Sequence, residues 1–226
     1  MKRLYTSAMS AKDFDPAPIG LTGADLPGLK GSPEESRFDP RTLFPEELRD
    51  APLELEIGSG KGTFLVQQAS ALPTVNYLGI EYAREFWLYA ADRLRRHGLR
   101  NVRLLHYDAK VFVRWYAAEG AFRQVHIYFP DPWPKARHHK RRLIEADFLR
   151  ECHRVLEPGG RVRIVTDHDD YSAWIEDHAG SVADLFERLP FERPAGAAEG
   201  EVVGTNFERK YRREGRPFHA VVLRKD

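Results

Sequence analysis

The chain has 226 residues, 42% hydrophobic and 31% charged, which supplies one α/β core and a water-facing surface, with no apolar run near the roughly 20 residues a bilayer span needs. A single cysteine, Cys152, excludes an internal disulfide and any multi-cysteine zinc site. The net charge of +1 says nothing for or against nucleic acid, so the placing of the charges has to carry that argument. In chain order, residues 1–50 come first, with six of the 15 prolines and no sustained apolar periodicity, and are expected to form an irregular arm. Met1-Lys2-Arg3 is basic, but Leu4 to Phe14 is too polar for a secretory leader, so cytoplasmic residence is expected. From residue 51 to 226 short apolar runs alternate with amphipathic stretches, the pattern of one domain with a parallel sheet covered by helices. The buried strands are predicted at Leu53–Ile57, Tyr77–Glu81, Val102–Tyr107, Val125–Phe129 and Val162–Thr166. Helices are predicted over Arg84 to His97, from the stripe Phe86, Trp87, Ala90, Ala91 and Leu94, and before Pro158-Gly159-Gly160, from Phe148, Cys152, Val155 and Leu156. Two further strands, near Glu201–Asn206 and Phe218–Leu223, are expected to add an antiparallel edge.

Directly after the first buried strand stands Glu56-Ile57-Gly58-Ser59-Gly60-Lys61-Gly62, a glycine-rich strand-to-helix turn that lets a ligand approach the backbone closely. A phosphate-binding P-loop would need glycine at Leu55 and Ser or Thr at Gly62, and a dinucleotide site would need its third glycine one position later. Glu81 ends the second strand about 20 residues on, where a carboxylate can accept hydrogen bonds from ribose hydroxyls, and Asp108 ends the third. The alternative for either acid alone is a helix cap or first-turn residue, which their joint register at successive strand ends disfavours. The E-x-G-x-G-x-G spacing resembles the first motif of the Rossmann-like methyltransferases. That resemblance implies S-adenosylmethionine as the cofactor, held by Glu56, Gly58, Gly60, Gly62, Glu81 and Asp108, with the adenine amino group at Asp108.

The fourth strand runs into Phe129-Pro130-Asp131-Pro132-Trp133-Pro134-Lys135, whose prolines preset the backbone around an aspartate, a tryptophan and a lysine. With Asp167 and Thr205-Asn206-Phe207-Glu208 downstream, the segment from about 50 to 224 resembles the bacterial tRNA (guanine-N7)-methyltransferase family. The resemblance implies an α/β fold of the Rossmann-like class I methyltransferases, a mostly parallel seven-stranded sheet with helices on both faces and an antiparallel edge. It implies methyl transfer to N7 of a guanosine in the variable loop of tRNA. It places Asp131 beside the cofactor, and Lys135, Asp167, Thr205, Asn206, Phe207 and Glu208 on the substrate guanosine. Asn206 departs from relatives that are often basic there.

Guanine N7 has an in-plane lone pair and loses no proton on methylation, so orientation, worth up to about 7–11 kcal/mol, matters more than a base. Asp131 is the candidate catalytic residue, stabilising the cationic product ring electrostatically. Glu208 or Asp167 is the candidate reader of the N1–H and 2-amino donors, since adenine would leave such a carboxylate unpaired. Asp167 also reads as a cap of the helix predicted from about Tyr171. Trp133 reads equally as a base-stacking platform and as packing beneath the loop. The basic runs Lys135 to Arg142 and Arg209 to Arg213 are expected to grip tRNA phosphates. No spacing offers a metal-ligand set, and no motif distinguishes monomer from homodimer. The rival readings are a methyltransferase acting on another RNA or on a protein, and a non-catalytic RNA-binding protein on the same fold; cofactor binding separates them.

Overall fold

A strand covered on both faces must be buried along its whole length, and Leu53–Ile57 is. Leu53, Leu55 and Ile57 point into one layer of core, while Glu54 and Glu56, alternating with them, point to the opposite face. The computed structural model describes residues 14–226; the first part of the expected arm, residues 1–13, lies outside the described residues. In chain order the elements are β1 Gly20–Thr22, α1 Pro33–Ser36, β2 Leu53–Ile57, α2 Thr63–Ala71, β3 Asn76–Glu81, α3 Arg84–Arg96, β4 Val102–His106 and α4 Ala109–Val111. There follow β5 Phe122–Tyr128, α5 Ala146–Val155, β6 Leu156–Thr166, α6 Asp169–Gly180, β7 Phe186–Leu189, α7 Asn206–Arg213 and β8 His219–Lys225.

The strands form one sheet in the order β1-β4-β3-β2-β5-β6-β8-β7. β1 to β6 pair in parallel, and β8 and β7 close the far edge antiparallel. The sheet thus has eight strands where seven are expected, because β1 pairs with β4 at Gly20, Leu21 and Thr22. The antiparallel edge also differs in part. Phe218–Leu223 falls on β8, but its partner is Phe186–Leu189 and not Glu201–Asn206. The backbone N–H groups of Val202, Val203 and Gly204 donate to the Glu208 carboxylate, so a side chain takes the bonds that a strand would have used.

Two apolar layers sandwich the sheet. One is built on the stretch 112–117, α5 and α6; the other on α2 and α3, with Phe64, Trp87, Leu88 and Leu94. Pro158-Gly159-Gly160 sits in a bulge inside β6: β5 advances from Phe122 to Gln124 while its partner advances from Leu156 to Arg161. Residues 14–50 follow the β1 edge through short turns, and they bury Ile19, Leu26 and Phe44 in the core. Asn76 fastens this stretch further by donating from Nδ2 to the Leu48 carbonyl at 2.6 Å.

Candidate active site

The strand order turns at β2, which has β3 on one side and β5 on the other, and a crevice opens there beyond the carboxyl ends of the strands. Its rim is the glycine turn. Gly58 and Gly60 hold φ of 80° and 53°, and Gly62 at 67° starts α2 from the left-handed region, conformations a side chain would strain. The crevice has two lobes. The larger, about 510 Å³, lies between the glycine turn, Phe86, Tyr89 and Arg93 of α3, and Thr205 to Phe207. The smaller, about 350 Å³, lies over Glu81, Tyr82, Tyr107, Ala109 and the Asp131 loop. Gly58, Gly60, Phe86, Tyr128 and Phe207 line both lobes and mark their junction.

Three carboxylates stand in a row along the crevice. Glu56 is 4% exposed, its Oε2 has no hydrogen-bond partner, and burial pushes its pKa up to about 8, with the Glu81 charge adding to the shift. The Ser59 hydroxyl lies close enough to oppose that shift, yet its own Oγ has no partner of normal geometry. Glu81 accepts from the Gly60 amide at 2.7 Å and the Ala83 amide at 2.8 Å, one to each oxygen. Its pKa is raised first by burial, against those two hydrogen bonds, and further by the charge of Asp131. Asp131 keeps solvent access, but the protein around it raises its pKa too. A row of acids that disfavour one another's ionisation attracts a cation. S-adenosylmethionine, with its sulfonium and ammonium groups, fits this donor set: the unpartnered Glu56 oxygen is placed for a cation, and Glu81, with lone pairs beyond its two amide bonds, for hydroxyls.

A buried polar chain forms the floor. Glu54 accepts from His126 Nε2 and from Gln124, both at 2.9 Å, and from Arg123; these bonds outweigh the burial that would raise its pKa and hold it at about 2. An ionised Glu54 only accepts, so His126 carries its proton on Nε2 and presents bare Nδ1 to the Tyr128 hydroxyl at 2.9 Å. Burial lowers the His126 pKa, which keeps the ring neutral. The phenol therefore donates to the imidazole, and its ring is fixed beneath both lobes.

The loop after β5 is strained at both ends: Phe129 and Trp133 hold φ of 53° and 43°, a region that favours glycine. Between them Asp131 is presented to the smaller lobe, which Trp133 also lines. The Arg141 guanidinium lies 5.0 Å from the Trp133 ring centroid, and His138 meets that ring edge-on. Lys135 is exposed and leads into a turn over 136–141 that displays Arg137, Lys140 and Arg141. Arg142, expected among the phosphate-gripping residues, is 1% exposed; it donates to the Pro132 carbonyl, pairs with Asp170 and lies over the rings of Tyr171 and Trp174. It fastens the loop from below.

Other expected site residues are placed differently. Asp108 accepts from the Val111 amide at 3.0 Å and caps α4, and the crevice wall beside it is made by its neighbours Tyr107 and Ala109. Asp167 pairs with Arg216 at 2.7 Å, and the cap of α6 is His168, not Asp167. Thr205 caps α7 by accepting from the Glu208 amide at 3.1 Å, and Asn206 and Phe207 line the larger lobe. Glu208 is 0% exposed and accepts from three loop amides at 2.6–2.8 Å and from Arg212. Those bonds lower its pKa against its burial. A carboxylate so engaged cannot turn to a base without opening the loop, and the base-reading expectation for Glu208 is corrected on that ground. Arg209 and Arg212 of the second basic run are paired to Glu201 and Glu208.

The sequence reading missed Tyr89, Arg93 and Tyr128, and it assigned Phe86 to the buried face of its helix. Phe86, Tyr89 and Arg93 recur at three and four residues along one edge of α3, and that spacing is the signal that could have found them.

A family model described as "Putative methyltransferase" matches residues 50–221. A tRNA (guanine-N(7)-)-methyltransferase of Nitrosomonas eutropha is 44% identical, the match covering 55% of this chain and 55% of that one, about half the length of each. A tRNA (guanine-N(7)-)-methyltransferase of Rhodopirellula baltica is 35% identical over 89% of this chain and 76% of its own. A SAM dependent methyltransferase from Aquifex aeolicus, 13% identical, superposes with a TM-score of 0.52 over 80% of this chain and 87% of that one, a likeness of fold.

Proposed function

The chain belongs to the tRNA (guanine-N7)-methyltransferase family, and from that premise we propose that it methylates N7 of a guanosine in the variable loop of tRNA, with S-adenosylmethionine as methyl donor. The observation that carries the reading is the convergence of the glycine turn, the acid row Glu56, Glu81 and Asp131, and the strained Asp131 loop on one crevice.

Bound S-adenosylmethionine supplies an electrophilic methyl group on a sulfonium. Everything else falls to the chain. Glu81 receives the ribose hydroxyls, and the glycine turn lets the donor lie against the backbone. Tyr128, tethered to His126, keeps the floor of the junction flat and immobile. The target base enters beside Asp131, whose carboxylate faces the positive charge that the guanine ring gains as N7 forms its new bond. No side chain has to take a proton from N7. Asp167, which pairs with Arg216, is the remaining candidate reader of the guanine edge, and Trp133 with Arg141 forms the aromatic and cationic wall against which the nucleoside rests. Lys135, Arg137, Lys140 and Arg141 present their charge to the neighbouring phosphates.

The test is transfer of labelled methyl from S-adenosylmethionine to an unmodified tRNA transcript, with nucleoside analysis of the product. 7-Methylguanosine that disappears when the variable-loop guanosine is replaced supports the reading. Methylation of another nucleoside, or cofactor binding without transfer, refutes it.

A further inference from the structure

The cationic surface of α7 continues past the end of the helix. The chain turns at Gly215, which holds a φ of 68°; the Gly215 amide donates to the Arg212 carbonyl and the Arg216 amide to the Tyr211 carbonyl, both at 3.1 Å. This pair of bonds is a Schellman stop, which folds the residue after the glycine back onto the last turn of the helix. Where an apolar contact often completes that motif, here the Arg216 guanidinium lies over the Tyr211 ring, 4.4 Å from its centroid. Two carboxylates hold it by the edge: Nη1 reaches Asp167, just past β6, at 2.7 Å, and Nη2 reaches Glu214 at 2.6 Å. The Arg216 side chain is nonetheless 43% exposed. With one face on the ring and both terminal nitrogens engaged, what it offers to solvent is its other flat face. The place is close to the reaction. Tyr211 meets Phe129 edge-on at 5.7 Å and stacks with Phe207 at 6.1 Å, and both of those residues line the smaller lobe, whereas Tyr211 and Arg216 line neither lobe.

We propose that Arg216 on Tyr211 is a stacking platform for an unpaired tRNA base that neighbours the target guanosine. The inference rests on the function proposed above and deepens it. Guanidinium planes and aromatic rings are the surfaces on which proteins stack splayed RNA bases. A phosphate approaching Arg216 meets two carboxylates already on its terminal nitrogens, while a base needs only the open face. Arg216 therefore binds RNA by its flatness and not by its charge. Asp167 and Glu214 are positioning residues that hold its edge. Asp167 engages Arg216 through Oδ2 and has a second oxygen, so this role leaves room for its candidate one at the guanine edge.

Filter binding of the full chain to tRNA tests it, with Arg216→Lys as the variant, because lysine keeps the charge and loses the flat face. The RNAs are an unmodified tRNA and two others, assembled from synthetic strands, in which the base on one or the other side of the variable-loop guanosine is removed. Arg216→Lys should bind the intact tRNA about tenfold more weakly, the loss expected for one stacked base. Removing the base on one side should cost the parent about the same factor, and should cost the variant no more than about twofold, since its stack is already gone. Parental affinity in Arg216→Lys overturns the proposal, because a charge contact is then enough. A variant weakened by the same factor on all three RNAs also overturns it, because the defect is then general. If the parent binds tRNA and neither base removal weakens it, the platform is wrong and the methyltransferase reading stands; if the parent neither binds nor methylates tRNA, that reading falls and the platform with it.

Discussion

Glu56 shows how a single side chain can be kept costly for use. A carboxyl with a pKa near 8 in the folded chain and 4.5 outside it holds one proton more when folded across that interval. Stability of the ligand-free protein therefore falls as pH rises from about 4.5 to about 8, and levels off above. Glu56→Gln removes that slope. Thermal unfolding should find the variant gaining on the parent as pH rises from about 5 to about 8, because the amide has no charge to bury, and calorimetry should find it unable to bind S-adenosylmethionine. A variant that gains nothing over that interval would show that the Glu56 carboxylate is paired in the free protein. Asp131 makes a different demand. It lines the smaller lobe and forms no part of the core, so under the proposed function Asp131→Asn should keep cofactor affinity and lose about 100-fold or more in single-turnover rate, as removal of one preorganised electrostatic group does. An unchanged rate removes Asp131 from the chemistry.

At the scale of elements, α7 and the loop before it are one unit. The Glu208 carboxylate gathers the amides of Val202, Val203 and Gly204, Thr205 caps the helix, and Phe207 is thereby set at the junction of the two lobes. Glu208→Gln keeps the shape but loses the charge that three amides and Arg212 require. It should cost about 1–3 kcal/mol of stability in denaturant unfolding, with a raised KM as Phe207 loses its support. Its preference for guanine over adenine should stay that of the parent; a relaxed preference would return Glu208 to the base. The Asp131 loop obeys the same logic. Its two positive-φ residues persist because Arg142, from the far end of the basic run, holds the Pro132 carbonyl and is itself held by Asp170 and two aromatic rings. Composition marks Arg142 as one more phosphate-binding cation, and only the packing of α6 against the loop turns it inward.

Across the whole molecule, residues 14–50 complete the sheet edge and do not merely lead up to it. Phe44 is 2% exposed, with the Arg103 guanidinium over its ring at 5.4 Å. Phe44→Ala should destabilise the chain by about 3–5 kcal/mol, the usual cost of emptying a buried aromatic site, measurable by chemical unfolding; a change below about 0.5 kcal/mol, typical of surface substitutions, would mean that this segment packs loosely. RNA affinity is a property of the surface as a whole. Lys135, Arg137, Lys140 and Arg141 are exposed in the segment that follows the Asp131 loop, and Arg141 lines the smaller lobe; under the proposed function, replacing Lys140 and Arg141 by Gln should flatten the salt dependence of tRNA binding by about 0.7–0.9 log–log units per residue. An unaltered slope would place the phosphates elsewhere.

The sequence by itself determined the parallel α/β sheet, the glycine turn and the order of the acids at the strand ends, because strand burial, backbone freedom at glycine and register along a strand are local properties. It determined the family through motifs whose spacing is also local. What it could not determine was which charged residues remain available for a ligand. Glu208 and Arg142 look like Glu56 and Arg93 in the chain, but the first two are held by loop amides and by a carbonyl and Asp170, while the others line the crevice. A carboxylate or guanidinium is spent or kept according to the partners that distant elements bring to it, and that assignment exists only after the sheet, α3, α6 and α7 have packed.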